Sequence, residues 1–171
     1  EEIRKLFLPA YKAAVEAGAK SIMVSFSSWN GVRMHAQRYW ITDVLKGELG
    51  FDGFVVSDWG GIDQVAADPY ISIVTSINAG IDMSMVPYDY RSFIKNMKLA
   101  VKNGDIPIER IDDAVRRILK VKFELGLFEN PYVDVDEAEK IVNNDQFKEK
   151  AALALRKSIV LLRNESDALP V

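Results

Sequence analysis

Cysteine is absent from the 171 residues, and histidine occurs once, at His35. The first absence excludes disulfides and thiolate chemistry, and the second speaks against a metal site built on several imidazoles. Neither fixes the compartment, since exported proteins also do without cysteine. No Lys/Arg-rich run is present, and 25 acidic residues outnumber 22 basic ones, for a formal charge of -3. Nucleic acid is therefore a poor partner on charge grounds. No apolar run approaches the length needed to cross a bilayer, so no membrane partner is expected. The chain opens on Glu1-Glu2-Ile3 rather than Met, so the lack of a leader says nothing about targeting. What is present is ordinary for a globular domain: 49% hydrophobic and 27% charged residues, at a length that supports one core.

Periodicity predicts a helix over 3–17, with Pro9 as an objection inside it, and a buried strand over Lys20–Phe26. A polar turn follows at Ser27–Gly31, then an amphipathic helix over 36–49. Gly53–Ser57 reads as a second strand and 70–79 as a helix. A third strand is expected at Ile81–Met85, then a helix over 89–103 and a long helix that Ile106-Pro107-Ile108-Glu109 opens, with Pro107 at or near its first turn, and that runs to about Leu125. Shorter helices at 137–142 and 145–157 precede a last strand at Ser158–Leu162 and a polar tail, Arg163–Pro170. Strand and helix alternate at roughly 30-residue spacing, the pattern of an α/β protein with parallel strands and crossover helices. The strands number too few for a closed barrel. A small open sheet and part of a larger barrel both remain open on this count.

Segment 50–61 is the most informative. Phe54, Val55 and Val56 form an apolar run that gives way to Ser57-Asp58-Trp59 and two glycines. An acid is thus set where a buried strand becomes a loop, with an indole beside it. In barrels of parallel strands, catalytic groups occupy that end. A carboxylate there suits attack at an anomeric carbon, and an indole face suits a pyranose ring. The plainer alternative is that Asp58 caps the following turn.

Three further segments carry a resemblance. Residues 25–35 (Ser25-Phe26-Ser27-Ser28-Trp29-Asn30-Gly31-Val32-Arg33-Met34-His35) and residues 78–83 (Asn78-Ala79-Gly80-Ile81-Asp82-Met83) flank the Asp58 strand in sequence. Arg110–Gly126 contains Ala114-Val115-Arg116-Arg117-Ile118-Leu119. Together with Gly53–Trp59 they resemble glycoside hydrolase family 3, in its branch of β-glucosidases and exo-acting β-glucanases. Ser158–Asn164 resembles the opening strand of that family's second domain, so the likeness covers essentially the whole chain. It implies the C-terminal part of a (β/α)8 TIM-type barrel, about three parallel strand–helix units, over 1–126. A linker with closing helices would occupy 127–157, and the first strand of an α/β sandwich domain 158–171.

The resemblance also implies a function: release of glucose from the non-reducing end of β-glucosides or β-glucans, with retention, through a covalent aspartyl intermediate. Asp58 would be the nucleophile and Trp59 a sugar-stacking face; neither metal nor organic cofactor is implied. Phe26, Trp29, His35 and Met83 would contact or shape the substrate site. Each has a plainer alternative: Trp29 plugging a barrel mouth, His35 bonded to backbone, Met83 in the core. Position 26 is Phe where many relatives have Tyr, and position 64 is Gln where plant relatives have Arg. No Lys-His pair, which grips sugar hydroxyls in the family, occurs here. The acid/base Glu would come from beyond Val171, so the remainder of a parent chain is an implied partner, and the chain alone is expected to be inactive. β-Xylosidase is the nearest alternative within the family, and a non-catalytic sugar-binding or barrel-completing α/β module is the alternative outside it. A periplasmic or secreted location would follow from the same likeness. On residue pattern alone, Asp82 reads as a buried, bonded acid, Asp63 as a cap, and the Asp112-Asp113/Arg116-Arg117 pairs as surface ion pairs.

Overall fold

The computed structural model describes residues 1–142 and 144–165. Two compact units divide the chain, Glu1–Phe128 and Glu129–Val171. In the first, β1 (Ser21–Met23) runs parallel to a strand at Phe54–Val56, with Ile22 opposite Val55. Between them lies a hairpin of β2 (Ser28–Trp29) and β3 (Val32–Arg33), which makes the Phe54–Val56 strand β4. The hairpin turns on Asn30 and Gly31, both at positive φ, the conformation that two-residue hairpin loops require. Val55, Phe51 and Ile81 sit in one apolar core with Ile41, Leu45, Ile73, Ile77 and Ile106.

The expected helix over 3–17 is broken. It splits into α1 (Glu2–Leu6) and α2 (Leu8–Glu16), with Pro9 in the first turn of the second. Proline lacks an N–H and its ring crowds the carbonyl four residues back, so the helix restarts rather than running through. The expected helix over 36–49 becomes a 3-10 turn, Met34–Ala36, and a π-helix, Tyr39–Glu48. Thr42 and Lys46 both reach the C-terminal end of the next α-helix, donating to the carbonyls of Ala79 (2.8 Å) and Gly80 (2.7 Å).

That next helix is α3 (Pro69–Ala79), capped by the Asp68 carboxylate and closed by Gly80 at φ 115°. A Cβ at position 80 would lie 2.4 Å from Thr42 Oγ1, so both dihedral and space require glycine. Helices α4 (Tyr90–Asn103) and α5 (Ile108–Glu124) follow as the periodicity predicts. Asp63 does not cap its segment; it lies inside a 3-10 turn, Ile62–Gln64, that begins after Gly61.

The expected strand Ile81–Met85 is reduced to a single parallel bridge, Met83 to Val56. The amides of Asp82 and Met83 both go to the Val55 carbonyl (2.9 and 3.0 Å), and the Met85 amide goes to Ser57 Oγ at 2.8 Å. Side chain replaces ladder, and pairing stops. The expected surface ion pairs on α5 also differ. Arg117 is half-buried and donates to the carbonyls of Phe51 (3.0 Å) and Gly53 (2.9 Å) while pairing with Asp113.

Asp82 is the electrostatic centre of this unit, its side chain 0% exposed. It accepts from Lys46 Nζ at 2.8 Å, from Arg110, and from the Val55 amide at 2.8 Å. Burial, the largest influence, lowers the Lys46 pKa to about 8; the Asp82 charge opposes this, and Arg110 and Arg117 add to it.

The second unit contains α6 (Val135–Val142) and α7 (Asp145–Ser158), and none of its described residues is buried. No strand forms over 158–162 among the described residues: Ser158 ends α7 and no ladder follows it. A strand is defined by its ladder, and among the described residues Ile159–Leu162 forms none. Positions 166–171 of the expected second domain, and most of the polar tail, lie outside the described residues.

Candidate active site

β1 and β4 end on the same side, as parallel neighbours must. The loops leaving them, and the segment after Met83, meet there. Asp58 lies two residues past the end of β4, half-buried. Its main chain is held on both sides. The amide donates to His35 Nε2 at 3.0 Å. The carbonyl accepts from Ser57 Oγ at 3.0 Å and from the Gly61 amide at 3.0 Å. Ser57, fully buried, also pins the incoming loop by receiving the Met85 amide. The Gly60 amide reaches the Met85 carbonyl at 3.1 Å.

The Asp58 carboxylate is bonded on one oxygen only. Oδ1 accepts the Trp59 amide at 2.6 Å, which realises part of the plain turn-capping alternative. Among the described residues Oδ2 takes no hydrogen bond. Trp59 is 60% exposed, its indole open to solvent next to that free oxygen in sequence. The arrangement offers an anchored acid with one available lone-pair-bearing oxygen and a flat apolar face.

His35 is 1% exposed. Burial is the main cause holding its pKa below the ordinary value; Asp58 pulls it up and Arg33 pushes it down. Phe26 meets the imidazole edge-on at 6.2 Å and is itself partly exposed. Met83 joins β4 through its main chain, its carbonyl accepting the Ser57 amide at 2.9 Å, and its side chain is exposed. His35, Phe26, Met83 and Trp59 are thus gathered around the Asp58 main chain by direct or one-residue links.

Trp29 is not linked to them by any such contact. Its ring stacks on Tyr39 at 6.2 Å and meets Trp40 edge-on at 5.4 Å. With Arg4 and Ile3 these aromatics line a cleft of about 450 Å³. Gln37, buried, fixes the hairpin by donating to the carbonyls of Trp29 (3.0 Å) and Val32 (3.2 Å). Sequence reasoning overlooked Ser57, Gln37 and Gly61 as site-building residues. Ser57 and Gly61 were visible as the immediate flanks of Asp58; Gln37 left no signal.

The chain matches the family described as "Glycosyl hydrolase family 3 N terminal domain" over residues 1–121. It belongs to that family. It is 40% identical to the lysosomal β-glucosidase of Dictyostelium discoideum over 99% of this chain and 21% of that one. Among solved structures, it superposes on the exo-1,3/1,4-β-glucanase of a Pseudoalteromonas species with a TM-score of 0.73 at 41% identity, over 90% of this chain and 20% of that one. The β-glucosidase of Listeria innocua gives a TM-score of 0.77 at 37% identity, over 96% and 23%. That enzyme has also been solved with glucose and, as a mutant, with laminaribiose. The family 3 chain described here spans about a fifth to a quarter of the length of these relatives.

Proposed function

We propose that this chain carries the nucleophile of a retaining β-glucosidase or exo-β-glucanase. Asp58 is that nucleophile. One observation carries the reading: at the tip of β4 the Asp58 main chain is bonded on both sides while its Oδ2 is left free. Oδ2 attacks the anomeric carbon of the non-reducing-end glucose and forms a glycosyl ester. A carboxyl from outside this chain, about 5–5.5 Å away, protonates the leaving oxygen and then activates the water that hydrolyses the ester. Trp59 stacks on the sugar, Phe26 and Met83 shape the wall around it, and His35, buried, stands behind that wall against the Asp58 main chain. Trp29 belongs to the rim, where its cleft with Tyr39 and Trp40 suits an outer sugar.

The parallel pair β1–β4, the Met83 bridge and helices α3 to α5 fit part of a (β/α)8 barrel that the remainder of the gene product completes. Residues 129–171 lead toward a further α/β domain that supplies the second carboxyl. Alone, the chain therefore turns over no substrate. The decisive experiment treats the intact gene product with 2-deoxy-2-fluoro-glucosides and, in parallel, the xylosides, then maps the label by mass spectrometry. Asp58 carries the label, and glucosides trap faster than xylosides. A label on another residue removes the assignment; faster trapping by xylosides makes the enzyme a β-xylosidase with the same nucleophile. No label, with sugar retained by equilibrium dialysis, makes it a sugar-binding module.

A further inference from the structure

The nucleophile's main chain depends on a side chain that the chemistry above does not use as acid, base or sugar ligand. His35 receives the Asp58 amide on Nε2 at 3.0 Å. A peptide N–H can only donate. Nε2 therefore holds the lone pair, and in the neutral ring the proton resides on Nδ1. The imidazole has close neighbours on two sides. Phe26 abuts its edge, and the Gly61 backbone is so close that a Cβ there would fall 2.3 Å from Nε2 and 2.5 Å from Cε1. The ring itself is placed by the 3-10 turn Met34–Ala36, which the Met34 amide ties to the Ser27 carbonyl at 3.0 Å. One loop thus bears directly on the backbone of the acid at the strand tip.

We propose that His35 is a positioning residue for Asp58: as a neutral acceptor it fixes the Asp58 main chain, and protonation of Nε2 releases it. The inference rests on Asp58 being the nucleophile. A protonated Nε2 would set one N–H against another across 3.0 Å, turning an attraction into a repulsion, and the strand tip must then shift. The charged groups facing the ring are Asp58, which favours the imidazolium, and Arg33, which disfavours it; burial, the largest influence, acts with Arg33 to outweigh Asp58 and holds the pKa below its ordinary 6.5. A displacement of about 1 Å in a reacting group costs on the order of 100-fold in rate. The acid side of the activity profile is therefore set in part by a residue that never meets substrate.

Two variants of the intact gene product test this. His35→Phe keeps a planar ring and removes the acceptor; kcat falls about 10–100-fold while KM changes by less than about 3-fold, because binding groups stay in place. His35→Gln keeps an acceptor that does not titrate; it restores most of kcat and moves the acid limb of kcat/KM to lower pH. A merely structural histidine would lower the melting temperature in both variants and leave the acid limb where it was. Wild-type kcat in folded His35→Phe, or an unmoved acid limb in His35→Gln, overturns the proposal. Should His35→Phe fail to fold, the Gln profile decides alone. Fluoroglucoside labelling separates the two readings. A label away from Asp58 removes the nucleophile assignment, whereas a label on Asp58 with an unmoved limb removes only the role of His35.

Discussion

Gly61 shows how tightly this site is specified at the level of single atoms. Its φ of -66° and ψ of -29° are open to any residue, so alanine meets no backbone objection. The objection is the imidazole of His35, which the new methyl would overlap. Gly61→Ala should therefore lower stability by about 1–3 kcal/mol, as overpacking does, and cut kcat about 10-fold or more by displacing the ring from the Asp58 amide. The same substitution in a His35→Ala background should add little, because the space is then empty. Melting temperatures and kcat across this double-mutant cycle check the point; additive losses would mean that Gly61 matters for another reason. Asp58 and Trp59 were legible in the sequence because an acid after an apolar run is a local pattern. The partners of Asp58 were not. His35 lies 23 positions away and acts on a main-chain amide, and an amide leaves no mark in a sequence.

At the scale of elements, β4 and the segment leading into it are held by charged side chains of α5 and the π-helix. Arg117 takes the carbonyls of Phe51 and Gly53, and Asp82, paired with Lys46 and Arg110, takes the Val55 amide. Removing Asp82 leaves two buried cations without a counter-charge. Asp82→Ala should cost about 3–5 kcal/mol in urea unfolding and expose the Val55 amide to hydrogen exchange. Lys46 adds a pH signature. Its folded pKa, about 8, lies below the 10.5 of the unfolded chain, so between these values the unfolded chain holds a proton that the folded site has released. Stability should rise with pH across that window relative to Lys46→Met, and the difference should flatten below pH 8. A declining difference from pH 8 to 10 would show that the ion pair, not burial, dominates. Helices were legible where their ends are coded locally: Asp68 and Asp89 bond the first amides of α3 and α4. Strands at 81–85 and 158–162 are not formed in full among the described residues, for a shared reason. A strand exists only with a partner, and apolar runs do not say whether one is there.

For the whole chain, the consequence is an uneven distribution of stability. The core of residues 1–128 holds every buried side chain among the described residues, while none of those described between 129 and 165 is buried. Amide exchange in the isolated 171-residue chain should follow this division. Amides of α3, which carries Ser72, Ile73, Ser76, Ile77 and Ala79 into the core, should be the slowest. Those of α6 and α7, none of whose described residues is buried, should exchange nearly as fast as a free helix of similar length. Protection of α7 equal to that of α3 would contradict this. The first unit has a liability of its own: a sheet of two strands and one bridge, with Met23 on β1 and Leu119 and Phe123 on α5 exposed. Open edges and apolar surface of this kind favour association. The isolated chain should bind an apolar dye and sediment as concentration-dependent oligomers, and the intact gene product should do neither. A monodisperse isolated chain that ignores the dye would mean that two strands and a bridge make a finished sheet, and the barrel proposed above would lose its main physical motive.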